Sequence, residues 1–474
     1  MVRAMTSSDL DLAAGAPAPA KSSAWRTEIV ETLWLAVPMA LTQLGQIAMM
    51  TTDLALIGRL GDAAVAAAAL AHTVWLVAFM LGIGLASAVA PLAAQAYGAR
   101  SPRKVRASLR VGLWASLIAG VPLTLSQFYG EELLRAAGQD ARTAQLAGHY
   151  LHGLAWSLVP GWMFIAFRSF MGAVNRPEPA LWIMFAAVPI NAVLAYALIH
   201  GEFGLPALGI LGAGLATALV SMGNCVAAAV VCVSMQPFRK YRVFGQLWRL
   251  DAPLMKRLLG LGLPISGASV LEYGLFGAAA LLMGQISTTA LAAHQIALQV
   301  AAIMFMVPMG ISLAATVRVG HAVGRHDPAG ARRAGFAAIG LGLAFMALMT
   351  LLVALTRYDI PQLFLGDTVT AAETAQLTAS LLVVGASFFM ADGLQVVANG
   401  ALRGRNDTRI PLLFAALSFW AIGFPCSYLL AFPAGFGPFG VWIGLAIGLT
   451  VYAALLVWRF HLLTRQPLPG LARG

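Results

Sequence analysis

Three acidic residues stand inside long apolar segments of the chain: Asp53, Glu272 and Asp392. The other 16 of the 19 acidic residues fall in polar loops, in the N-terminal tail or at segment ends. A charge at the centre of a membrane helix costs roughly 2.5–3.5 kcal/mol. No lysine or arginine lies at a matching depth in the sequence, so an ion pair within the apolar layer is not expected. The cost of these acids predicts that they bind a proton or a cation during transport.

The three acids are not equivalent in position. Glu272 and Asp392 both lie near the middle of their segments in the second half of the chain, where a carboxylate pair can share a proton or coordinate Na+ through oxygen ligands. Asp53 lies nearer the end of its segment, and a protonated, hydrogen-bonded structural acid is the alternative that weighs most there. We therefore predict a cation site formed by Glu272 and Asp392, with Asp53 as a further ion-coupling residue.

Uncharged polar side chains inside apolar segments are the second group of candidates. They could line a substrate cavity, although hydrogen bonding between helices explains such residues equally well. The candidates are Gln43, Gln46 and Asn191 in the first half of the chain, and Gln295 and Gln299 in the second.

The composition requires a lipid environment for these residues. Of the 474 residues, 60% are hydrophobic and 10% are charged, whereas a soluble domain carries about 25% charged residues. A soluble enzyme and a nucleic-acid-binding protein are therefore excluded, in spite of the net charge of +11. The three cysteines form no CxxC pair, so no zinc site is expected.

Apolar segments long enough to cross a bilayer, about 20 residues each, occur twelve times. They lie near 33–57, 64–96, 108–128, 150–173, 180–199, 206–235, 258–284, 290–318, 334–355, 374–402, 411–433 and 438–464. In the last segment, Gly440, Gly444 and Gly448 recur at four-residue spacing, which is typical of close helix packing in membranes. The chain is predicted to be an all-α integral membrane protein.

The basic residues give the orientation. Twelve segments place 26 of the 30 lysines and arginines on one side of the membrane, and cytoplasmic loops carry such an excess. Both termini are thus predicted to be cytoplasmic. Residues 1–25 lack the apolar core of a signal peptide and are predicted to be a flexible cytoplasmic tail.

The two halves of the chain repeat each other. At an offset of 226, Pro38 matches Pro264, and two glycine pairs match as well, Gly84 with Gly310 and Gly98 with Gly324. Six spans is an even number, so this is a parallel repeat, an architecture of secondary transporters whose site lies between the halves. We expect lobes at 26–235 and 258–474, the second ending in a short cytoplasmic tail, joined by a cytoplasmic linker at 236–257. At this offset Glu272 matches Gln46, so the ion site belongs to one half.

Common enzyme and nucleotide motifs are missing from the sequence. It contains no GxxxxGK[ST], HExxH or GxSxG, so we expect neither a nucleotide motor nor a simple protease. We expect no cofactor, no nucleotide or nucleic-acid partner, and a monomer surrounded by lipid.

Three stretches resemble the multidrug and toxic compound extrusion (MATE) family, specifically its NorM-like branch. They are LAVPMALTQLGQIAMMTTDLALIGRLG (35–61), SGASVLEYGLFGAAALLMGQISTTALAAHQIAL (266–298) and ADGLQVVANGALRGRNDTRIP (391–411). The resemblance extends over residues 26–464. It implies a V-shaped pair of six-helix lobes, a cation site at Glu272 and Asp392, and a role for Asp53 in drug or proton handling. Phe388 departs from some Na+-coupled relatives, which have Tyr there as part of the ion site, so the resemblance leaves both Na+ and H+ open.

The expected function is an inner-membrane antiporter that exports amphipathic, mainly cationic compounds in exchange for Na+ or H+. A lipid-linked saccharide flippase of related scaffold is the alternative, but it should carry basic residues in its central cavity. An intramembrane prenyl-transfer enzyme would need an aspartate cluster such as DDxxD, which the sequence lacks. We therefore expect a transporter and not an enzyme.

Overall fold

The computed structural model describes residues 21–365 and 369–466, and this part of the chain is helical with short connections and no β-strand. The first helix begins at Lys21, inside the predicted tail, and its early part contacts the second half of the chain through the ion pair of Glu28 with Arg318. The rest of that tail, residues 1–20, and the predicted tail after residue 466 lie outside the described residues.

The described residues contain twelve candidate membrane spans when a bent pair of helices is counted as one span, and this is the number that the sequence predicts. Eleven are long apolar helices, and the tenth is a pair of helices bent by 53° at Gly385. The spans are α1 (Lys21–Gly58), α2 (Asp62–Gly98), α3 (Pro102–Gln127), α4 (Ala141–Ala173), α5 (Glu178–His200), α6 (Gly209–Ser234), α7 (Ala252–Ile286), α8 (Thr288–Gly324), α9 (Pro328–Leu355), α10 (Val369–Val384 and Ala386–Gly404), α11 (Arg409–Ala431) and α12 (Gly437–Arg465). A short helix, Gly130–Ala136, lies between α3 and α4.

Irregular points in the spans have local causes. Pro38 in α1 and the matching Pro264 in α7 each remove one backbone donor, and a proline inside a helix bends it. In α2 the helix is interrupted at Ala88, three residues before Pro91. The stretch Ala416–Gly423 of α11 is a π-helix, and it packs beside the glycine stripe of α12, where a Cβ on Gly448 would lie 2.8 Å from the Gly423 Cα.

The spans form two six-helix lobes, α1–α6 and α7–α12. Helix α1 packs against α8, and α2 packs against α7. Because the repeat makes α1 equivalent to α7 and α2 equivalent to α8, these two contacts are equivalent to each other. Gly84 and Gly310 are matched glycines at these contacts. A Cβ on Gly84 would lie 2.2 Å from the Gly262 oxygen, and one on Gly310 would lie 2.6 Å from the backbone of Ala40. These close backbone approaches give a physical reason for the repeated glycines.

The lobes meet near one face of the molecule, which we call the basic face: it is formed by the connections 99–101, 174–177, 235–251, 325–327 and 405–408. There, a Cβ on Gly98 would lie 2.2 Å from the His321 oxygen, and one on Gly324 would lie 2.1 Å from the Gln95 oxygen. The Arg318 guanidinium of α8 bonds Glu28 of α1, with Nη2 2.8 Å from Oε1, and it also contacts Glu31.

The connection between the lobes is held against the first lobe. Arg110 Nη1 donates to the Gln246 carbonyl at 3.1 Å, and Trp114 Nε1 donates to the Leu247 carbonyl at 2.9 Å. Helix α7 then begins at Ala252, within the predicted linker 236–257.

Candidate functional site

The carboxyl groups of Glu272 and Asp392 are brought together by one amide. Gln395 Nε2 lies 2.8 Å from Glu272 Oε1 and 3.3 Å from Asp392 Oδ1, and it donates to this pair of oxygens. Asp392 is 6% exposed and Gln395 is 1% exposed, so both are buried in the second lobe. The two acids are 120 positions apart in sequence, yet they share a single hydrogen-bond donor.

Two helices position this group, which we call the carboxylate pair (Glu272, Asp392 and the bridging Gln395). Glu272 comes from α7, two turns beyond the proline at 264. Asp392 and Gln395 stand three residues apart on the second part of α10, so they lie on the same helix face. The bend at Gly385 sets the direction of that part.

Aromatic side chains close one side of the carboxylate pair. Phe388, one turn before Asp392, is 1% exposed. Its ring packs edge-on against Phe276, with centroids 6.0 Å apart, and against Trp442, with centroids 5.2 Å apart. Phe388, Phe276 and Trp442 therefore form an apolar wall one turn from the two carboxyl groups.

Polar residues continue from the carboxylate pair along the same face of α10 toward the basic face. Asn399, one turn after Gln395, donates from Nδ2 to the Tyr452 hydroxyl oxygen at 3.3 Å. Arg403 follows one turn later, and its Nε is buried with no hydrogen-bond partner among the described residues. This polar stripe gives the interior of the second lobe a path of hydrogen-bonding groups.

Asp53 forms a separate site in the first lobe. Its Oδ1 accepts from Asn191 Nδ2 of α5, and its Oδ2 accepts from Thr217 Oγ1 of α6 at 2.9 Å. Asp53 is 8% exposed and Asn191 is fully buried. Since three helices converge on this carboxyl, a change in its protonation or occupancy would act on the packing of α1, α5 and α6.

The structure places the remaining predicted cavity residues at different depths. Gln43 accepts a hydrogen bond from Arg168 Nη1 of α4, inside the first lobe. Gln46 is half-buried on α1, while Gln295 and Gln299 are exposed, one turn apart, on one face of α8. Asn191 is a partner of Asp53 rather than a surface group.

Sequence reasoning missed five residues of these sites: Gln395, Asn399, Thr217, Arg168 and Tyr452. Gln395 carried a usable signal, because it follows Asp392 by three residues on a helix. Thr217 and Tyr452 are ordinary helix residues whose roles depend on contacts between distant helices. Arg168 is one of the 26 basic residues that the sequence assigns to the basic side, whereas in the structure it is half-buried and bonds Gln43.

The chemistry available to the carboxylate pair is the binding of one small cation. Two carboxyl groups within reach of one amide can hold a proton between them or supply oxygen atoms to Na+. In residues 21–365 and 369–466, no cluster of three or more His, Cys, Asp or Glu side chains could hold a metal ion. The structure thus presents a two-carboxylate site in one lobe and a one-carboxylate site in the other.

Comparison with known proteins gives consistent similarities over nearly the whole chain. The MatE family model matches residues 38–197 and 264–429, and the two matches begin 226 residues apart, which is the offset of the repeat. The chain is 77% identical to the "Probable multidrug resistance protein NorM" of Rhodopseudomonas palustris, covering 98% of each chain. It is 59% identical to the protein of the same name from Bradyrhizobium diazoefficiens, covering 93% of this chain and 94% of the relative.

A solved structure shows the same fold. The crystal structure of the eukaryotic MATE transporter AtDTX14 superimposes with a TM-score of 0.83 at 23% identity, covering 93% of this chain and 98% of the other. The predicted all-α architecture of two six-helix lobes is therefore confirmed.

Proposed function

Because this chain belongs to the MatE family, whose model matches both of its halves, we propose that it is a multidrug efflux transporter driven by cation exchange. The relatives are named as multidrug resistance proteins over nearly their full length, which supports drug export. The observation that carries the exchange mechanism is the carboxylate pair, in which Gln395 bridges the half-buried Glu272 and the buried Asp392. We propose amphipathic, mainly cationic compounds as the exported substrates.

The mechanism is alternating access with competition for the acidic sites. The lobes are closed at the basic face, which we propose to be cytoplasmic in the inner membrane, with both termini on that side. In this state the carboxylate pair receives Na+ or H+ from outside, and the exported compound leaves. Opening at the basic face then releases the ion and admits a new substrate.

Asp53 has a distinct role in this proposal. Its carboxyl is bonded by Asn191 and Thr217 from two other helices, so the arrival of a proton or a cationic substrate would loosen a three-helix contact. The first lobe thereby couples substrate occupancy to the packing of α1, which also forms the contact with the second lobe.

The available driving force is sufficient for export. A tenfold ion gradient corresponds to about 1.4 kcal/mol, and each positive charge moved inward gains about 2.3 kcal/mol per 100 mV. One-for-one exchange with a monovalent cationic drug moves no net charge, so a tenfold ion gradient supports about a tenfold drug gradient. A second ion per cycle would add the membrane-potential term.

Efflux from vesicles tests this proposal, with Na+ and pH gradients imposed separately on the purified protein. We expect Glu272→Gln and Asp392→Asn to insert normally and to lose ion-driven export, whereas Asp53→Asn should weaken export of some substrates more than others. Glu202→Gln is the matched control, because Glu202 is exposed and lies in the connection between α5 and α6.

The gradient that drives export identifies the coupling ion. Export that persists in both Glu272→Gln and Asp392→Asn at the wild-type rate would refute the carboxylate pair as the ion site. Unchanged handling of every substrate by Asp53→Asn would assign that residue to structure alone.

A further inference from the structure

A basic cavity lies between the lobes, at the basic face, far from the acidic sites. Its volume is about 540 Å³, and the groups that decide its chemistry are Lys104, Arg257, His326, Arg405, Asp407 and Arg459. Asp407 is the one acid among the lining residues, and Arg459 Nε bonds its Oδ2 at 2.8 Å. Three basic side chains therefore remain without a lining carboxylate of their own.

The region extends into a neighbouring cavity of about 300 Å³. This second cavity shares Arg257, Asn406 and Asp407 with the first, and it adds Lys256 and Arg409 to its lining. The positive charge therefore continues across the second lobe's share of the basic face.

Arg405 is only partly compensated. It follows the end of α10, and its Nη1 is buried with no hydrogen-bond partner among the residues that the structure describes. Burial lowers the pKa of the Arg405 guanidinium, and the charge of Arg459 lowers it further, while Asp407 opposes both. Burial without full pairing disfavours the charged form, so an anion beside Arg405 would offset that cost.

Both lobes build the cavity. Lys104 belongs to α3 of the first lobe, while Arg257 and Arg405 belong to the second. Gln95, at the end of α2, also lines the cavity and bonds across the lobes. Its Nε2 donates to the Gly404 carbonyl at 2.9 Å, and its Oε1 accepts from Asn406 Nδ2 at 2.7 Å. Separation of the lobes at the basic face would break these bonds and pull the basic groups apart.

We propose that this cavity binds a phosphate group and that the bound phosphate stabilises the arrangement with the lobes closed at the basic face. Guanidinium and ammonium groups recognise phosphate oxygens through charge-assisted hydrogen bonds. Basic pockets between membrane helices on the cytoplasmic side bind phospholipid headgroups. A ligand that binds one conformation better shifts the population toward it. The phosphate can be the headgroup of an anionic phospholipid or a phosphate compound in solution.

Binding of two probes to the purified full-length protein tests the proposal without measuring transport. The first probe is inorganic phosphate, titrated at constant ionic strength, with the thermal unfolding midpoint as the readout. We expect phosphate to raise the midpoint of the wild type. The apparent affinity should fall roughly tenfold in Arg405→Gln and in Lys104→Gln, which is the usual effect of losing one charge-assisted hydrogen bond.

Arg103→Gln is the matched control, because it removes a charge from the same turn of α3 without removing a lining group. Lys104 is exposed, so Lys104→Gln keeps the test valid even where Arg405→Gln fails to fold.

The second probe is phosphatidylglycerol, added to delipidated protein and counted by native mass spectrometry. Retention that depends on Lys104 or Arg405, but not on Arg103, identifies the headgroup as the ligand. If only the shift of the unfolding midpoint by phosphate depends on Lys104 or Arg405, and lipid retention does not, the ligand is a soluble phosphate compound. The proposal is overturned when neither probe distinguishes Lys104→Gln and Arg405→Gln from Arg103→Gln.

Discussion

The ion cluster of Arg318 with Glu28 and Glu31 should control how readily the lobes separate at the basic face. Arg318 belongs to α8 and both carboxylates belong to α1, so the cluster joins the two lobes. The side chains of Arg318 and Glu28 are only 11% and 13% exposed. We predict that Arg318→Gln shifts the equilibrium toward separation at this face.

The size of the shift follows from the geometry. Arg318 Nε and Nη2 both lie 2.8 Å from Glu28 Oε1, and hydrogen bonds to charged groups contribute about 1.5–3 kcal/mol. An exposed pair would contribute about 0–1 kcal/mol, and Glu31 at 48% exposure falls near that range. Loss of the Glu28 bonds should therefore change the ratio of separated to closed molecules roughly 10- to 150-fold.

Distance measurement by double electron–electron resonance can detect this shift. Spin labels at Arg103→Cys and Arg465→Cys would report on exposed positions of the two lobes, after replacement of the native Cys225, Cys232 and Cys426. We expect a longer-distance population to grow in Arg318→Gln. Arg333→Gln is the control, because its partner Asp327 belongs to the same lobe. Identical distance distributions in Arg318→Gln and the control would refute the assignment of this cluster as an inter-lobe contact.

Three further predictions concern the site and the interface. Gln395→Leu removes the donor shared by Glu272 and Asp392 and should lower ion-driven efflux about tenfold or more; efflux equal to that of the exposed control Gln376→Leu would contradict this role. Thr217→Val keeps the shape of the side chain but removes its bond to Asp53, so efflux of Asp53-dependent substrates should fall several-fold while Thr73→Val, on an exposed threonine, leaves it unchanged. Gly310→Ala places a Cβ 2.6 Å from the backbone of Ala40 and should force the lobes apart in the spin-label experiment. Gly340→Ala is the control, because its Cβ would have no atom within 4 Å and should leave the distances unchanged. Unaltered distances in Gly310→Ala would show that the interface relaxes around the added methyl group.

The sequence predicts the number of spans well because each apolar segment is long, and because strongly basic connections alternate along the chain with connections that carry few basic residues. The bend in α10 could not be predicted in the same way. It occurs at Gly385 without a proline, and Gly385 is one of 48 glycines in a chain where most of them pack helices.

The acids of the candidate site could be predicted because a buried charge is costly wherever it occurs. The hydrogen-bond partners of these acids could not be predicted from the sequence. Gln395 meets Glu272 across 123 positions, and Thr217 meets Asp53 across 164, so no local spacing indicates either contact. Arg168 shows the limit of counting charges by side, since a long basic side chain near a helix end can turn inward and bond Gln43.

The exchange of helix contacts between the lobes bears on how such a chain can change over evolutionary time. Pairing α1 with α8 and α2 with α7 is the isologous arrangement of a two-fold dimer, in which one surface patch meets its own copy. In two separate subunits, any substitution in that patch would occur twice. Fusion into one chain removes this constraint. The matched glycines can then stay at the interface, while the position equivalent to Glu272 in the first half is a glutamine, Gln46. The repeat thus keeps the same glycine contacts at the interface between the lobes, while the residues inside each lobe can differ.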